Sequence, residues 1–292
     1  MSAITEIARP KVNLTLKVSG RHQNGYHEIE SLIAFGADFG DVVRLVPGSK
    51  SSLLVSGPFA AAISGDNLVS TALACLAEAE PRLTLGSVVL EKHLPVAAGI
   101  GGGSADAAAV LRAVRHANPE LADALDWHAI AASLGADVPV CLADTPAFVT
   151  GAGERITSLP GLPRLPAVLV NPLAPAPAKK TAKVFSQFAA PSAHETRRAA
   201  QAPGPFREVA ALLDFMREHG NDLMPAAAAL IPEIEPVRAA LATADGCVYV
   251  GMSGAGPTCF GIFESGEAAT AVTDAMRQAY PQWWIVATEL GG

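Results

Sequence analysis

Apolar and polar positions alternate from Val12 to Val18. Val12, Leu14, Leu16 and Val18 are apolar, while Asn13, Thr15 and Lys17 are polar, which is the period of a half-buried strand. Lys11 and Asn13 therefore share one strand face. Strand-like runs at Ile29 to Phe35 and Val42 to Val46 follow the polar stretch Ser19 to His27, whose Asn24-Gly25 is a hairpin-type turn signal. The period then changes. Asp66 and Asn67 can cap a helix in which Leu68, Val69, Ala72, Leu73 and Leu76 recur at helical spacing. A strand over Leu85 to Glu91 comes next, then the small-residue stretch Pro95 to Gly103. Beyond it Ser104 to His116, rich in alanine, leucine and valine and free of proline, predicts a helix.

Pro160, Pro163, Pro166, Pro172, Pro175 and Pro177 crowd a segment broken only by the strand-like Ala167 to Asn171. The expected domains are therefore residues 1–160 and 161–292. Ala189 to Pro205 reads as a second loop. The C-terminal part reads as helices over Phe206 to His219 and Glu233 to Leu241, then strands over Cys247 to Val250 and Thr258 to Phe263. A helix over Glu267 to Tyr280 and a strand over Trp283 to Ala287 complete it. The whole predicts a two-domain α+β chain, a pair of α/β sandwiches.

Composition narrows the function classes. Half of the 292 residues are apolar and 17% charged, which excludes a disordered chain. No apolar stretch is long enough to span a membrane, and Met1 to Val12 lacks the pattern of a secretion signal. Cys75, Cys141, Cys247 and Cys259 form no C-x-x-C pair and read as reduced thiols, so a cytoplasmic protein is expected. The formal charge is −7, with no run of basic residues longer than two; this argues against a nucleic-acid partner. Oligomeric state is not legible at this level.

Pro95 to Ala108 carries the clearest chemistry. Glycines let the backbone approach a ligand, and the following helix points free N–H groups and its positive dipole end at the same place, which makes a phosphate cradle. Taken alone, such a run is equally a tight turn without a ligand. The G-x-x-x-x-G-K-[ST] loop is excluded because the chain has no Gly-Lys pair. The dinucleotide fingerprint fails where Ser104 replaces its third glycine, and neither Ser104 nor Ser253 sits in G-x-S-x-G. Gly251 to Pro257 is a second glycine cluster, by itself a hairpin. Asp137, in Gly135-Ala-Asp-Val-Pro139, is by itself a cap or surface residue.

Pro10-Lys-Val-Asn-Leu14, Pro95 to Ala108 and Met252 to Pro257 together resemble the three motifs of the galactokinase, homoserine kinase, mevalonate kinase and phosphomevalonate kinase (GHMP) superfamily, in matching order and spacing. Within it, four features are similar to the 4-diphosphocytidyl-2-C-methyl-D-erythritol kinases. These are Lys11 with Asn13, the loop Gly20 to Glu28 with Gly25-Tyr-His27, Asp66-Asn-Leu68, and Gly135 to Pro139.

The resemblance implies an N-terminal domain of the ribosomal-protein-S5-domain-2-like type with a left-handed βαβ crossover, and a C-terminal ferredoxin-like α+β domain. It also implies transfer of the γ-phosphoryl group of ATP to the 2-hydroxyl of the methylerythritol moiety. Asp137 would be the general base, and Lys11 would steady the attacking oxygen and the γ-phosphate. Pro95, Val96, Ala97, Ala98, Gly99, Ile100, Gly101, Gly102, Gly103, Ser104 and Ala105 would wrap the ATP phosphates, with the Ser104 hydroxyl on Mg²⁺. Asn67 would contact adenine, although a helix cap explains it equally well. Tyr26 and His27 would recognise cytosine by stacking and hydrogen bonding; Asn13, Thr181 and Gly254 would also face the substrate. Two departures stand out. Ala105 replaces a second serine common in the family, and Ala97 and Ala98 stand where the family often has glycines. A related small-molecule kinase and a non-catalytic nucleotide-binding sensor share this scaffold, and Tyr26-His27 and the pair Lys11 and Asp137 argue against them in turn.

Overall fold

The structure, a computed structural model, describes residues 2–21, 27–37, 39–48, 51–63, 67–188 and 201–292. In chain order it begins with β1 (Ile4–Ala8), β2 (Lys11–Asn13), β3 (Lys17–Arg21), β4 (His27–Phe35), β5 (Asp41–Val46), β6 (Ser52–Ser56), α1 (Leu68–Ala79) and β7 (Ser87–Glu91). Then come α2 (Gly102–Ala117), α3 (Trp127–Leu134), α4 (Val138–Ala143), β8 (Ala147–Gly151), β9 (Arg155–Ser158), β10 (Leu165–Asn171) and α5 (Lys180–Gln187). It closes with α6 (Val209–His219), α7 (Met224–Leu230), α8 (Ile234–Ala242), β11 (Cys247–Met252), β12 (Cys259–Phe263), α9 (Gly266–Ala279) and β13 (Trp284–Leu290). These elements pack as two compact units drawn from separated stretches. One holds Met1–Pro10, Phe39–Val96 and Gly101–Asp144; the other holds Lys11–Asp38, Ala97–Ile100 and Thr145–Gly292.

The first unit is a four-stranded sheet in the order β1-β5-β7-β6 with α1 to α4. β6 and β7 pair in parallel, Leu54 opposite Val89, and α1 makes the connection between them that a parallel pair requires. α2 packs on β1 and β5 and buries Ala105, Ala108, Leu111 and Val114 among others. Each fully buried leucine or valine contributes about 1.5–3 kcal/mol. Asn118 ends α2: its side-chain amide donates to the carbonyls of Val114 and Thr84, and its Oδ1 accepts from Thr84 N at 2.8 Å.

The second unit holds two antiparallel sheets. One runs β2-β4-β8-β9 with β3 also on β4; the other runs β11-β12-β10-β13. α8 and α9 pack on the latter, and Val168, Val170, Leu241, Phe263 and Ile285 fill the core beneath them. Lys17 pairs with Asp222 at 2.8 Å, and Asp222 also accepts from Val18 N, so β3 is tied to the turn before α7.

The single strand expected over Val12 to Val18 is instead two. Leu14 N and Thr15 N both donate to Leu32 O, at 2.8 and 3.4 Å, so two residues oppose one and the strand bulges between β2 and β3. Side chains hold the bulge: Ser31 Oγ donates to Thr15 O and Leu32 N donates to Thr15 Oγ1. The expected helix from Ser104 begins two residues earlier, at Gly102, because Gly101 takes a left-handed conformation (φ 65°) and its carbonyl accepts from Ala105 N. The Asn24-Gly25 turn lies outside the described residues, as does the loop after Ala189 as far as residue 200; residues 201–205 have no regular structure. The four cysteines are unpaired. Among the described residues no helix is long and apolar enough to cross a membrane.

Candidate active site

In the second unit, β2 presents Lys11 and Asn13 on one face, opposite Phe35 and Ile33 of β4. Both side chains are buried. Lys11 Nζ donates to Asn13 Oδ1 at 3.1 Å, and Asn13 Nδ2 donates to Ser31 Oγ at 2.7 Å, which fixes the amide so that its oxygen faces the ammonium. Asn13 N in turn donates to Ser253 Oγ at 3.0 Å.

The glycine-loop residues Ala97–Ile100 lie in this unit too, and each of their four carbonyls is held. Ala97 O accepts from Lys180 Nζ at 2.8 Å and Ala98 O from Thr258 N at 3.1 Å; Gly99 O accepts from Ser253 Oγ at 2.8 Å and Ile100 O from Lys11 N at 2.9 Å. With the carbonyls spent in this way, the segment cannot rotate its peptide planes freely. Gly254 joins the contact: at φ 56°, a side-chain carbon on it would lie 2.9 Å from Gly99 O and 3.4 Å from Asn13 Oδ1. Gly99 is tighter still. At φ 83°, a Cβ would stand 2.6 Å from the carbonyl oxygens of both Ser253 and Gly256. Gly99→Ala is therefore expected to lower stability by at least about 1–2 kcal/mol, the left-handed backbone penalty alone, read from the urea midpoint; an unchanged midpoint would show that these segments move apart at no cost. Ala97 occupies the left-handed region as well, φ 55°, so the departure from glycine at this position holds an L side chain where glycine would be unstrained.

Sequence reasoning did not single out Lys180. It is 5% exposed, its ammonium donates to Gly256 O as well as Ala97 O, and burial lowers its pKa to about 8. Thr181 follows it on the exposed side of the first turn of α5. One turn further on, the Phe185 ring stacks on His27 with centroids 4.7 Å apart and an interplanar angle of 29°. Tyr26 lies outside the described residues.

The first unit carries Pro95, Val96, Gly101–Ala105, Asn67 and Asp137. Gly102, Gly103 and Ser104 are the first three residues of α2, where backbone N–H groups have no intrahelical acceptor and the helix dipole favours an anion. Asn67 is the cap of α1, its Oδ1 accepting from Val69 N at 2.9 Å, which is the capping reading of that residue. Asp137 stands at the N-cap position of α4. Its backbone carbonyl accepts from Cys141 N, and its carboxylate does not serve as the helix cap.

Beneath the first turn of α2 is a buried cluster that the sequence did not announce. Lys92 is 3% exposed, Asp106 2% and Asp41 0%. Lys92 Nζ pairs with both carboxyls, Asp106 at 2.7 Å, and Asp41 also accepts from the backbone N–H groups of His93 and Leu94. Desolvation, reinforced by Asp41, raises the Asp106 pKa well above 3.8, and its Oδ1 has no hydrogen-bond partner. Desolvation opposes the charge on Lys92, but the two carboxyls outweigh it and raise its pKa.

Comparison with known proteins gives this geometry a family. Residues 67–152 match the family model of the GHMP kinases N terminal domain, and residues 195–282 match GHMP kinases C terminal. A 4-diphosphocytidyl-2-C-methyl-D-erythritol kinase of Rhodopseudomonas palustris is 45% identical over 99% of both chains, and one of Cereibacter sphaeroides is 43% identical over 98% of both. A crystal structure of a 4-(cytidine 5'-diphospho)-2C-methyl-D-erythritol kinase is similar with a TM-score of 0.75 and 33% identity, covering 99% of this chain and 100% of that one. Homoserine kinase from Cytophaga hutchinsonii, 19% identical with a TM-score of 0.66, covering 99% of this chain and 95% of its own, shares the fold. On this full-length similarity the chain belongs to the 4-diphosphocytidyl-2-C-methyl-D-erythritol kinase family of the GHMP kinases.

Proposed function

We propose that this chain transfers the γ-phosphoryl group of ATP to the 2-hydroxyl of 4-diphosphocytidyl-2-C-methyl-D-erythritol, in the non-mevalonate route to isoprenoid precursors. The observation that carries the reading is the identity of 45% across 99% of both chains to a relative named for this activity. Phosphoryl transfer asks for positioning, charge neutralisation and a base more than for covalent chemistry, and the residues supply each. The first-turn amides of α2 and the fixed segment Ala97–Ile100 suit an anionic phosphate chain. Ser104 offers a hard hydroxyl oxygen in the same turn, a ligand that Mg²⁺ takes beside phosphate oxygens and water. Asp137 is the general base, and Lys11, oriented by Asn13, is the cation for the attacking oxygen.

His27 supplies hydrogen-bonding nitrogens for a base edge, and the Phe185 ring beside it supplies an aromatic face for cytosine. Phe185→Ala is expected to raise KM for the cytidyl substrate roughly 3- to 10-fold and to leave KM for ATP unchanged; an equal rise in both would remove Phe185 from the cytosine contact. The activity itself is tested by phosphorus NMR of the purified protein with Mg-ATP and 4-diphosphocytidyl-2-C-methyl-D-erythritol, with mevalonate and homoserine as separate controls. New ADP and phosphomonoester signals with the cytidyl compound alone are expected. Turnover of a control alone would move the protein to another branch of the superfamily, and ATP binding without any turnover would make it a sensor.

A further inference from the structure

Two carbonyls from distant parts of the chain, Ala97 O and Gly256 O, converge on one point in the second unit, and the Lys180 ammonium occupies that point. Without a cation there, two carbonyl dipoles would face each other. Neither oxygen has a backbone N–H donor among the described residues, whereas Ala98 O and Ile100 O do. Among the described residues no carboxylate balances the lysine: its hydrogen bonds go to these two carbonyl oxygens, and burial lowers its proton affinity. An apolar side chain of the same length would escape the desolvation penalty of a buried ammonium. A lysine at this place therefore does something for the two carbonyls that an apolar residue cannot.

We propose that Lys180 is a positioning residue for phosphoryl transfer, a cationic pin that holds Ala97–Ile100 against Ser253–Thr258 so that the glycine segment keeps one backbone conformation. Its two partners flank a tight approach, where a Cβ on Gly99 would run into the oxygens of Ser253 and Gly256. Ser253 and Thr258 hold the neighbouring carbonyls of Gly99 and Ala98, and Lys180 supplies the remaining donor at the loop entrance. Ala97, in the left-handed region, has its carbonyl turned to the ammonium, so the pin also stabilises the one strained non-glycine residue of the segment. The catalytic part of this proposal rests on the kinase reading above; the pin does not.

The test is Lys180→Met, which keeps an unbranched side chain of nearly the same length and removes its donors, with Lys180→Gln as a second variant that keeps one donor group. Amide hydrogen exchange is followed in peptides covering residues 97–100 and 253–258, and kinetics are measured well below the unfolding midpoint of each variant. The expected result is faster exchange in both segments, together with a kcat lowered roughly 10- to 100-fold and a KM for ATP changed much less, because a loosened segment is misplaced most in the transition state. The Gln variant should fall between Met and wild type, and it answers alone if the Met variant does not fold. Exchange unchanged in both segments would overturn the pin whatever the activity. Faster exchange with kcat and KM unaltered would overturn its role in the reaction.

Discussion

Asp137→Asn lowers kcat by about two to four orders of magnitude, the range of a lost general base, while the Kd for ATP stays within a few fold. The size of the effect can be assigned to chemistry because the substitution is structurally mild. Asp137 contributes its backbone carbonyl, not its carboxylate, to the start of α4, where it accepts from Cys141 N. Asparagine keeps that carbonyl, is itself a favoured N-cap residue and is nearly isosteric. Steady-state kinetics beside calorimetric ATP titration separate the two quantities. A kcat within tenfold of wild type would remove Asp137 as the base and leave it an orienting group. Loss of ATP affinity by a similar factor would instead point to damage in the nucleotide site.

Lys92→Met is expected to cost about 3–5 kcal/mol of folding stability, the usual effect of removing one partner from a buried ion pair. Methionine fills much the same volume, so the loss comes from leaving Asp41 and Asp106 together, both almost fully buried and with no cation between them. Asp106→Asn makes the contrast. Because burial already favours the protonated form of Asp106, a neutral amide removes a charge that burial opposes and keeps an oxygen to accept from Lys92. That variant should stay within about 1 kcal/mol of wild type at neutral pH. The pH dependence follows the same sign. As pH rises above 3.8, the unfolded Asp106 releases its proton while the folded one retains it, so this residue draws stability down across that interval. Asp106→Asn should lose that slope. Urea titrations of the three proteins between pH 4 and 8 measure all of this. A Lys92→Met loss below about 1 kcal/mol would show that the carboxyls find water or another partner.

The helices with strong apolar periodicity could be read from the sequence to within three residues, the largest offset being the start of α6 at Val209 instead of Phe206. Asn67 was legible as a cap because it precedes the spacing of Val69, Ala72, Leu73 and Leu76, all of them buried. Short elements were not legible. β9 has four residues, largely exposed, and α4 has six with Pro139 in its first turn, which reads as a turn until the backbone is seen. β1 and β6 are sheet strands whose partners lie 33 to 41 residues away in sequence, and no local period identifies them. The bulge at Leu14 and Thr15 was hidden because its cause is the side chain of Ser31 on the next strand.

The glycine segment, Lys11 and Asn13 were accessible as motifs, since their chemistry depends on residue types at fixed spacing. Lys180 was not, because an isolated lysine after a proline-rich stretch reads as solvated and its burial depends on carbonyls 83 and 76 residues away. The cluster of Lys92, Asp41 and Asp106 was hidden for the same reason. A charged residue next to an apolar strand gives no sign that it points inward.

The four donors that hold the carbonyls of Ala97–Ile100 come from Lys11, Lys180, Ser253 and Thr258, which gives the segment an order of assembly. As the chain leaves the ribosome, Ile100 O has its donor already made, Ala97 O waits about eighty residues for Lys180, and the other two wait about twice as long for the Ser253 hydroxyl and the Thr258 amide. The loop that comes early in the sequence is thus among the last parts of the molecule to reach its working shape. A nascent or prematurely ended chain can carry the glycine motif complete in sequence and still lack half of the donors that fix it.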